Sequence, residues 1–302
     1  MRAFTLVLGA SLAFAAHSQC IFTDFDSFPV YGGNGAVMFR QPSFSGSTAG
    51  FIVTDPFFNP TNLTQVSDRR AWSGSNSLEM RWRWTVAANA WLRLTTFNTP
   101  NLPNPAISDF TKAVVIFMYV PTVNPDPEFF GAPVPDLKVA IAVRETNSGA
   151  LCGTNGGSAN GIEFVRAEQG VSPPGGRVIG ADARNRWLKI IWRPSTDTLH
   201  AFAGATANGI LDFNNGTLEM IAFSPATPGD EGPYTVYIDN PGVYDLIAGD
   251  VDLNGCVDDT DLARVLEAFG AIGPFYPEDL NEDGTVDDVD LAIVLENFGA
   301  GC

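Results

Sequence analysis

One acidic pattern occurs twice near the end of the chain and restricts what that region can fold into. Residues 250–261 read D-x-D-x-N-G-x-x-D-x-x-D, and residues 279–290 read D-x-N-x-D-G-x-x-D-x-x-D, at an offset of 29 residues. Glycine occupies position 6 of both stretches, and side chains that carry oxygen surround it. Carboxylates at this density are costly to bury unless a positive charge compensates them. The pattern therefore predicts two loops that close around cations.

Calcium chemistry explains the spacing of these oxygens. A twelve-residue calcium loop supplies ligands from positions 1, 3, 5, 7, 9 and 12, with glycine at position 6 for the sharp turn. In the first loop the predicted ligands are Asp250, Asp252, Asn254, the carbonyl of Cys256, Asp258 and Asp261. In the second loop they are Asp279, Asn281, Asp283, the carbonyl of Thr285, Asp287 and Asp290. We therefore predict that the segment binds two Ca²⁺ ions, against the alternative of an acidic, solvated run that binds nothing.

Each loop is followed by a short helix with an apolar stripe. Apolar residues recur at i, i+3, i+4 and i+7, which is typical of one face of a helix. They are Leu262, Val265, Leu266 and Phe269 after the first loop, and Leu291, Val294, Leu295 and Phe298 after the second. Gly270 and Gly299 are predicted to end the helices. We also predict that Val257 and Val286, at position 8 of the loops, pair the two loops through their backbones.

This order of loop and helix, with no full helix before either loop, resembles a type I dockerin domain over residues 249–302. The resemblance implies two EF-hand-like calcium repeats and a helix face that docks onto a cohesin on a scaffold or cell-surface protein. The family's recognition positions 10 and 11 are Asp259 and Thr260 in one repeat, and Asp288 and Val289 in the other. The Ser-Thr pair frequent in the family is absent, so the identity of the partner does not follow. The near-duplication implies that either repeat could face the partner.

Both ends of the chain indicate export. The final Gly301-Cys302 resembles a subgroup of dockerin-anchored bacterial proteins in which the module tethers a secreted protein. Residues 1–18 predict a secretory signal peptide, because Arg2 precedes an apolar run and small residues follow it. The predicted location is therefore extracellular, with tethering to a cell surface, and no other stretch is predicted to cross a membrane.

Residues 20–245 lack helical periodicity and predict an all-β sandwich. Short alternating runs are separated by Gly, Pro, Asn and Ser, which is the pattern of strands and turns. The predicted strands are 21–25, 51–54, 77–86, 91–97, 112–120, 137–145, 161–165, 187–193, 198–203, 217–223 and 234–240. The proline-rich residues 100–105 and 121–135 are predicted to be loops, because proline cannot donate to a strand ladder. The predicted fold class is mainly β, a β-sandwich followed by a small all-α domain.

The negative charge of the chain is concentrated in the region of the two acidic loops. Residues 250–302 contain 14 acidic residues and one arginine, a net charge of −13 out of −17 for the whole chain. The acidity is therefore mostly a supply of ligands rather than a general property of the surface. No basic tract is present that could neutralise phosphates, which argues against a nucleic-acid-binding protein.

Four cysteines in an exported chain predict disulfides. Cys256 and Cys302 both lie in the predicted dockerin domain, and antiparallel repeats would return the last residue to the first loop. We predict a Cys256–Cys302 bridge and, from the remaining pair, a Cys20–Cys152 bridge. The alternative is that Cys302 stays free for a covalent attachment.

Three stretches of the β region, residues 22–28, 71–80 and 234–243, resemble a carbohydrate-binding-module type of β-jelly roll in the galactose-binding-like group. In such domains an acid on the first strand and an acid on the last strand often hold a structural calcium ion. The matching residues are Asp24 or Asp26, and Asp239. Carboxylates at strand ends also commonly cap turns, and this is the alternative role for them.

Strand parity separates core tryptophans from candidate ligand-binding ones. Trp82 and Trp84 share one strand face with other apolar residues, which predicts that they lie in the core. The candidates for stacking on a sugar are Trp72, Trp91 and Trp187, since each falls on a loop or a polar face. A polar row beside them, suited to an acidic glycan, would consist of Arg81, Arg83 and Arg93. The alternative for this row is a solvated or self-paired strand face, with Glu79 as partner.

No catalytic constellation is recognisable in the sequence. One of the two histidines lies in the predicted signal peptide, and there is neither a nucleophile elbow nor a histidine-rich metal motif. The acids Glu79, Glu145, Glu163 and Glu168 show no spacing that singles out the carboxylate pair of a glycosidase. We therefore predict a glycan-binding protein. The alternatives are a polysaccharide-degrading hydrolase or lyase on a concanavalin-like sandwich, and a non-catalytic surface or structural protein.

Overall fold

The computed structural model describes residues 19–31, 38–40, 51–52, 64–84, 90–99, 103–125, 131–165 and 175–302. The predicted signal peptide, residues 1–18, and Glu168 lie outside this part of the chain. Within it, no helix is both long and apolar enough to cross a membrane. The described part is mainly β, with two sheets packed on each other and two short α-helices near its end.

The strands of the described residues overlap the predicted ones and add three short strands. In chain order they are β1 Cys20–Ile21, β2 Phe51–Ile52, β3 Thr64–Ser67, β4 Ser77–Trp84, β5 Leu92–Thr95, β6 Ala106–Ile107, β7 Ala113–Tyr119, β8 Leu137–Arg144, β9 Ile162–Val165, β10 Arg177–Ile179, β11 Trp187–Trp192, β12 Leu199–Ala203, β13 Gly216–Pro225 and β14 Tyr234–Tyr244. Strands β3, β6 and β10 are absent from the prediction. They are two to four residues long, too short for an alternating pattern to reveal them.

Both sheets are antiparallel throughout the described residues. The first has the order β11-β7-β14-β4-β2, with β1 paired to β14 and β3 paired to β4. The second has the order β12-β9-β8-β13-β5, with β10 paired to β8 and β6 paired to β13. Most neighbours within a sheet are distant in sequence, which is typical of a sandwich whose chain crosses repeatedly between its layers.

The core lies between the inward faces of the two sheets. Trp82 and Trp84 of β4 are fully buried there, which confirms their predicted place. Trp82 stacks on Tyr234 with ring centroids 5.3 Å apart, and lies 5.5 Å from Phe223 of the second sheet. Burying a large apolar side chain contributes about 1.5–3 kcal/mol. These rings therefore help to hold the two layers together.

Both predicted disulfides are present. Cys20 on β1 is bonded to Cys152, and Cys256 is bonded to Cys302. The alternative of a free Cys302 is therefore wrong in this structure. The two bridges span sequence separations of 132 and 46 residues. In the chain-entropy account, bridges that close loops of these lengths stabilise the folded state by about 5 and about 4 kcal/mol, respectively.

The C-terminal segment, which we define as residues 249–302, contains α1 (Asp259–Glu267) and α2 (Asp288–Glu296). Helix α1 begins with a capping box. The carboxylate of Asp258 accepts backbone N–H groups of the first turn, and Asp261 accepts the N–H of Asp258 at 2.9 Å. Helix α2 repeats both contacts. Side chains of the acidic pattern thus satisfy donors that the start of a helix otherwise leaves without partners.

The prediction that Val257 and Val286 pair the two loops is wrong. Val257 exchanges backbone hydrogen bonds of 2.8–2.9 Å with residues 299–300, after α2, and Val286 does the same with residues 270–271, after α1. The chain that leaves each helix returns beside the other loop, so a loop pairs with a helix exit rather than with a loop. Both valine side chains are fully buried in a small core of the C-terminal segment.

Candidate functional site

The first acidic loop brings predicted ligands together. Carboxylate oxygens of Asp250, Asp252 and Asp261 lie within 4.8 Å of one another. Asp250 and Asp261 are buried. Asp250 accepts the backbone N–H groups of Asn254 at 3.1 Å and of Gly255 at 2.9 Å, which folds the loop around this carboxylate. The result is a set of hard oxygen atoms of the kind that calcium prefers.

The second loop repeats the backbone hydrogen bonds around its first carboxylate. Asp279 accepts the backbone N–H of Asp283 at 3.1 Å and that of Gly284 at 2.8 Å. Asp290, at position 12, is fully buried like its counterpart in the first loop. The amide side chain stands at position 3 here, where Asn281 donates to Asp283 at 2.8 Å. Both loops therefore offer four carboxylates and one amide among their predicted ligands.

The backbone requires glycine at position 6 of each loop. Gly255 and Gly284 have φ angles of 92° and 89°, in the left-handed region that other residues adopt at a cost. Position 4 is left-handed as well, at Leu253 and Glu282, both with φ of 59°. Because the same torsions occur in both loops, the repeat in sequence is also a repeat in structure.

Burial makes the loop carboxylates unfavourable as anions. Desolvation, together with the nearby charges of Asp261 and Asp252, raises the pKa of Asp250 to about 6. Desolvation also raises the pKa of Asp279. Crowded carboxylates of this kind are stabilised by a cation placed between them. The charge and the donor atoms thus fit a divalent ion that prefers oxygen ligands.

The predicted sandwich ligands Asp26 and Asp239 hold a turn. Asp239, fully buried on β14, accepts the backbone N–H groups of residues 72–73 at 2.8 and 3.3 Å. Asp26 accepts those of residues 75–76 at 2.9 and 2.8 Å, and Asp24 accepts the N–H of Asp26. Burial raises the pKa of Asp239 to about 7. These contacts fit the alternative role of turn capping, and a structural ion at these residues stays a prediction.

The structure separates the three candidate tryptophans. Trp72 and Trp187 lie together on the outer face of the first sheet, with ring centroids 6.5 Å apart. Trp91 is buried on the outer face of the second sheet. Trp72 also stacks on Phe117 at 4.2 Å, which covers one face of its indole. Trp187 is half-buried and is the better placed of the three to contact a ligand.

The predicted polar row of Arg81, Arg83 and Arg93 is not continuous. Arg81 and Arg83 lie on β4 in the first sheet, 3.5 Å from Glu79 and 3.2 Å from Glu231. Arg93 lies on β5 in the second sheet, packed against an aromatic ring at 5.4 Å. Strands β4 and β5 follow each other in sequence but belong to different sheets. The prediction of one row is therefore wrong. The alternative of a self-paired strand face with Glu79 as partner is confirmed for Arg81, whereas Arg83 pairs with Glu231 outside the strand.

Glu145 and Glu163 anchor a loop, although their spacing in the sequence does not single them out. Glu163 accepts the backbone N–H groups of residues 208–209 at 2.7 and 3.1 Å, and Glu145 accepts that of Asp212. Burial raises the pKa of both glutamates. Because their carboxylates hold backbone groups in place, these residues act as loop anchors here.

The C-terminal segment contacts the sandwich, and this contact is not among those predicted from the sequence. The guanidinium of Arg186 lies 3.6 Å from the ring centre of Tyr276, and Arg193 forms an ion pair with Glu282. The apolar residues of the contact are Ala113, Val115, Phe117, Ile191, Tyr244 and Leu253. The sequence does contain a signal for this contact. Ile191 points to the side of β11 opposite to the core and is apolar, which indicates that another surface covers that side.

The solved structures described below are distant likenesses of this chain. No protein-family model and no curated protein matches the chain. One similar solved structure is the family 11 carbohydrate-binding module of a cellulosomal cellulase of Clostridium thermocellum, with 14% identity, a TM-score of 0.39, and coverage of 77% of this chain and 97% of that one. Another is the C-terminal family 22 carbohydrate-binding module of a Clostridium thermocellum protein, with 14% identity, a TM-score of 0.27, and coverage of 70% and 94%.

A third similar structure is an endo-β-1,4-glucuronan lyase from the fungus Trichoderma reesei. It has 10% identity and a TM-score of 0.28, with coverage of 63% of this chain and 88% of that one. All three likenesses are below 25% identity and below a TM-score of 0.5. No statement about the ligand or activity of this chain follows from them.

The turn held by Asp26 and Asp239 can be tested at Gly74. A Cβ atom there would lie 1.8 Å from Asp26 Oδ2, and the φ of +63° is strained for alanine. Gly74→Ala should lower the free energy of unfolding of the sandwich by about 2–5 kcal/mol, in urea unfolding followed by tryptophan fluorescence. The control Gly131→Ala has φ of +81° but no atom within 4 Å, and should cost about 1–2 kcal/mol. Equal losses in the two variants would contradict this role of the turn.

Proposed function

We propose that the C-terminal segment is a calcium-folded docking module of the dockerin type, and that it attaches an exported, glycan-binding sandwich to a partner protein. The observation that carries the proposal is the structural repeat. Both loops have the same left-handed positions, the same carboxylate burial and the same helix caps. Two loops of one geometry indicate one function that the chain uses twice.

Each loop would hold one calcium ion through the oxygens that its backbone already gathers. The ligands of the first loop would be Asp250, Asp252, Asn254, the carbonyl of Cys256, Asp258 and Asp261. Those of the second would be Asp279, Asn281, Asp283, the carbonyl of Thr285, Asp287 and Asp290. When bound, calcium would supply the positive charge that the buried carboxylates lack. Folding of the segment and binding of the metal would then be one equilibrium.

The proposed docking face consists of apolar residues that the two helices leave exposed. Leu266 and Phe269 are 54% and 51% exposed, and the equivalent Leu295 and Phe298 are 56% and 53% exposed. The predicted apolar stripes are therefore only partly buried. Equal exposure in the two repeats supports a face that either repeat can offer to a cohesin-like scaffold or cell-surface protein. Exposed apolar patches of this kind mark protein interaction sites.

The proposed glycan site lies on the outer face of the first sheet. Trp187 is half-buried there, and the ring of Tyr119 lies 5.7 Å away from it. Arg70 is exposed, with its guanidinium 4.3 Å from the ring centre of Tyr119. A sugar is held by an apolar ring on which it stacks and by polar donors beside that ring, and these residues supply both.

Two observations support export of the protein. Residues 1–18 have the pattern of a signal peptide. The described part of the chain contains two disulfides, which persist in oxidising compartments such as the cell exterior.

The calcium proposal is tested by replacing the position-1 ligands. Asp250→Ala combined with Asp279→Ala should remove most of the helical signal in circular dichroism at millimolar calcium, because the loops could no longer close around a metal. The unchanged chain should lose the same signal when a chelator is added.

The matched control combines Asp259→Ala with Asp288→Ala. These residues occupy position 10 of the loops and are exposed. Replacing them removes two negative charges, as many as the replacement of Asp250 and Asp279 removes. The control should keep its helical signal in calcium. Identical helix content with and without chelator, in the unchanged chain, would show that the segment does not need a metal to fold.

Docking is tested with a panel of purified type I cohesins. A variant with Leu266→Ala and Phe269→Ala should keep binding through the second repeat, whereas adding Leu295→Ala and Phe298→Ala should abolish binding. The control Ile210→Ala removes a side chain that is 59% exposed on the sandwich and should change nothing. Unchanged binding by the fourfold variant would exclude this face as the docking surface.

Glycan binding is tested by affinity electrophoresis in gels that contain neutral or acidic polysaccharides. Trp187→Ala should weaken the affinity of the full chain for the polysaccharide about tenfold, which corresponds to about 1.4 kcal/mol, and its retardation in the gel should decrease accordingly. Trp91→Ala, on the other sheet, should retain the affinity. Release of new reducing ends from the polysaccharide would instead show a cleaving enzyme, and no retardation in any gel would leave a structural protein as the better description.

A further inference from the structure

A buried lysine lies where the sandwich meets the C-terminal segment. Lys189 is on the outward side of β11 and is 7% exposed. Its Nζ donates to the carbonyl of Pro277 at 2.6 Å, and its backbone N–H donates to the carbonyl of Phe275 at 2.9 Å. The chain between the two repeats therefore lies directly on this strand.

The surroundings of Lys189 are acidic, and the acids come from the C-terminal segment. Lys189 lines a cleft of about 340 Å³ together with Asp250 and Asp279, the position-1 residues of the two loops. Glu278 and Glu282 add further negative charge around the ammonium group. Burying an ammonium group costs free energy that nearby opposite charges offset. The acidic loops are thus what makes a lysine tolerable at this position.

The C-terminal segment has little positive charge of its own. Arg264 is its one basic residue, and the guanidinium of Arg264 lies 4.7 Å from the ring centre of Trp72 on the sandwich. Two cations of the sandwich, Lys189 and Arg193, line a cleft with both position-1 aspartates, and Arg193 is already paired with Glu282. The sandwich therefore contributes positive charge to the place where the loops need it.

We propose that Lys189 is a built-in competitor of calcium, which offsets the position-1 aspartates of both loops and thereby weakens their affinity for the metal. This inference rests on the proposed calcium binding. A fixed positive charge beside a metal site opposes the entry of a divalent cation, most strongly where water is excluded. The sandwich would then tune the calcium affinity of the segment that it carries.

Other contacts keep the two parts together when Lys189 is changed. Arg186 donates to the carbonyl of Pro274 at 2.6 Å and packs on Tyr276. Arg193 remains paired with Glu282. Lys189→Met keeps the apolar stem of the side chain and removes its charge, so it changes the electrostatics of the cleft with little change in packing.

The test is calorimetric titration of the full chain with calcium, at fixed pH and ionic strength. Lys189→Met should bind calcium at least about fivefold more tightly than the unchanged chain, with the same stoichiometry. Fivefold is the lower end of the change in affinity that is typical of two coupled sites. Lys189→Arg keeps the charge and should retain the original affinity. Lys138→Met changes a lysine on β8, in the other sheet, and should have no effect.

The outcomes separate this inference from the function on which it rests. If Lys189→Met binds calcium with unchanged or weaker affinity while the unchanged chain binds it, Lys189 is a structural residue and the inference is overturned alone. If the unchanged chain binds no calcium, the proposed function is overturned, and the inference with it. Near-ultraviolet circular dichroism of Lys189→Met should match that of the unchanged chain, so that a folding defect is recognised as such.

Discussion

The structure of the C-terminal segment depends on compensation of four buried carboxylates. Asp250, Asp261, Asp279 and Asp290 are at most 6% exposed, at positions 1 and 12 of the two loops. Backbone N–H groups satisfy part of their hydrogen-bonding capacity, but hydrogen bonds from neutral groups do not cancel charge. With Arg264 as the one basic residue of the segment, the compensating charge has to come from elsewhere. A metal ion in each loop is the proposed source.

The same constraint explains how the segment sits on the sandwich. The outer face of the first sheet offers an apolar patch to Leu253, and it offers Lys189, Arg186 and Arg193 to the acidic side of the segment. This face therefore complements the segment both in polarity and in charge. The apolar pairs on the outer sides of α1 and α2 stay exposed in this arrangement, so contact with the sandwich and contact with a partner would use different surfaces.

Local spacing predicts much of this architecture, because loops, caps and strand faces are local properties. The acidic loops, their two helices and the core tryptophans follow from it, whereas the two disulfides follow from the number of cysteines and the expected antiparallel repeats. Long-range placement does not follow. The pairing of Val257 with the exit of α2 depends on how two repeats fold against each other. The split of Arg93 from Arg81 depends on which sheet each strand joins. The place of Lys189 depends on which surface covers β11. The outward-facing Ile191 indicates that some surface does, but alternation along one strand does not reveal which one.

The most direct measurement is the number of calcium ions bound per chain. The full chain would be freed of metal with a chelator, equilibrated by dialysis against calcium in a buffer of physiological ionic strength, and analysed for bound metal. We expect two bound calcium ions per chain, and none after Asp250 and Asp279 are both replaced by alanine. A chain that binds no calcium, yet keeps both helices folded, would contradict the proposed role of the two loops.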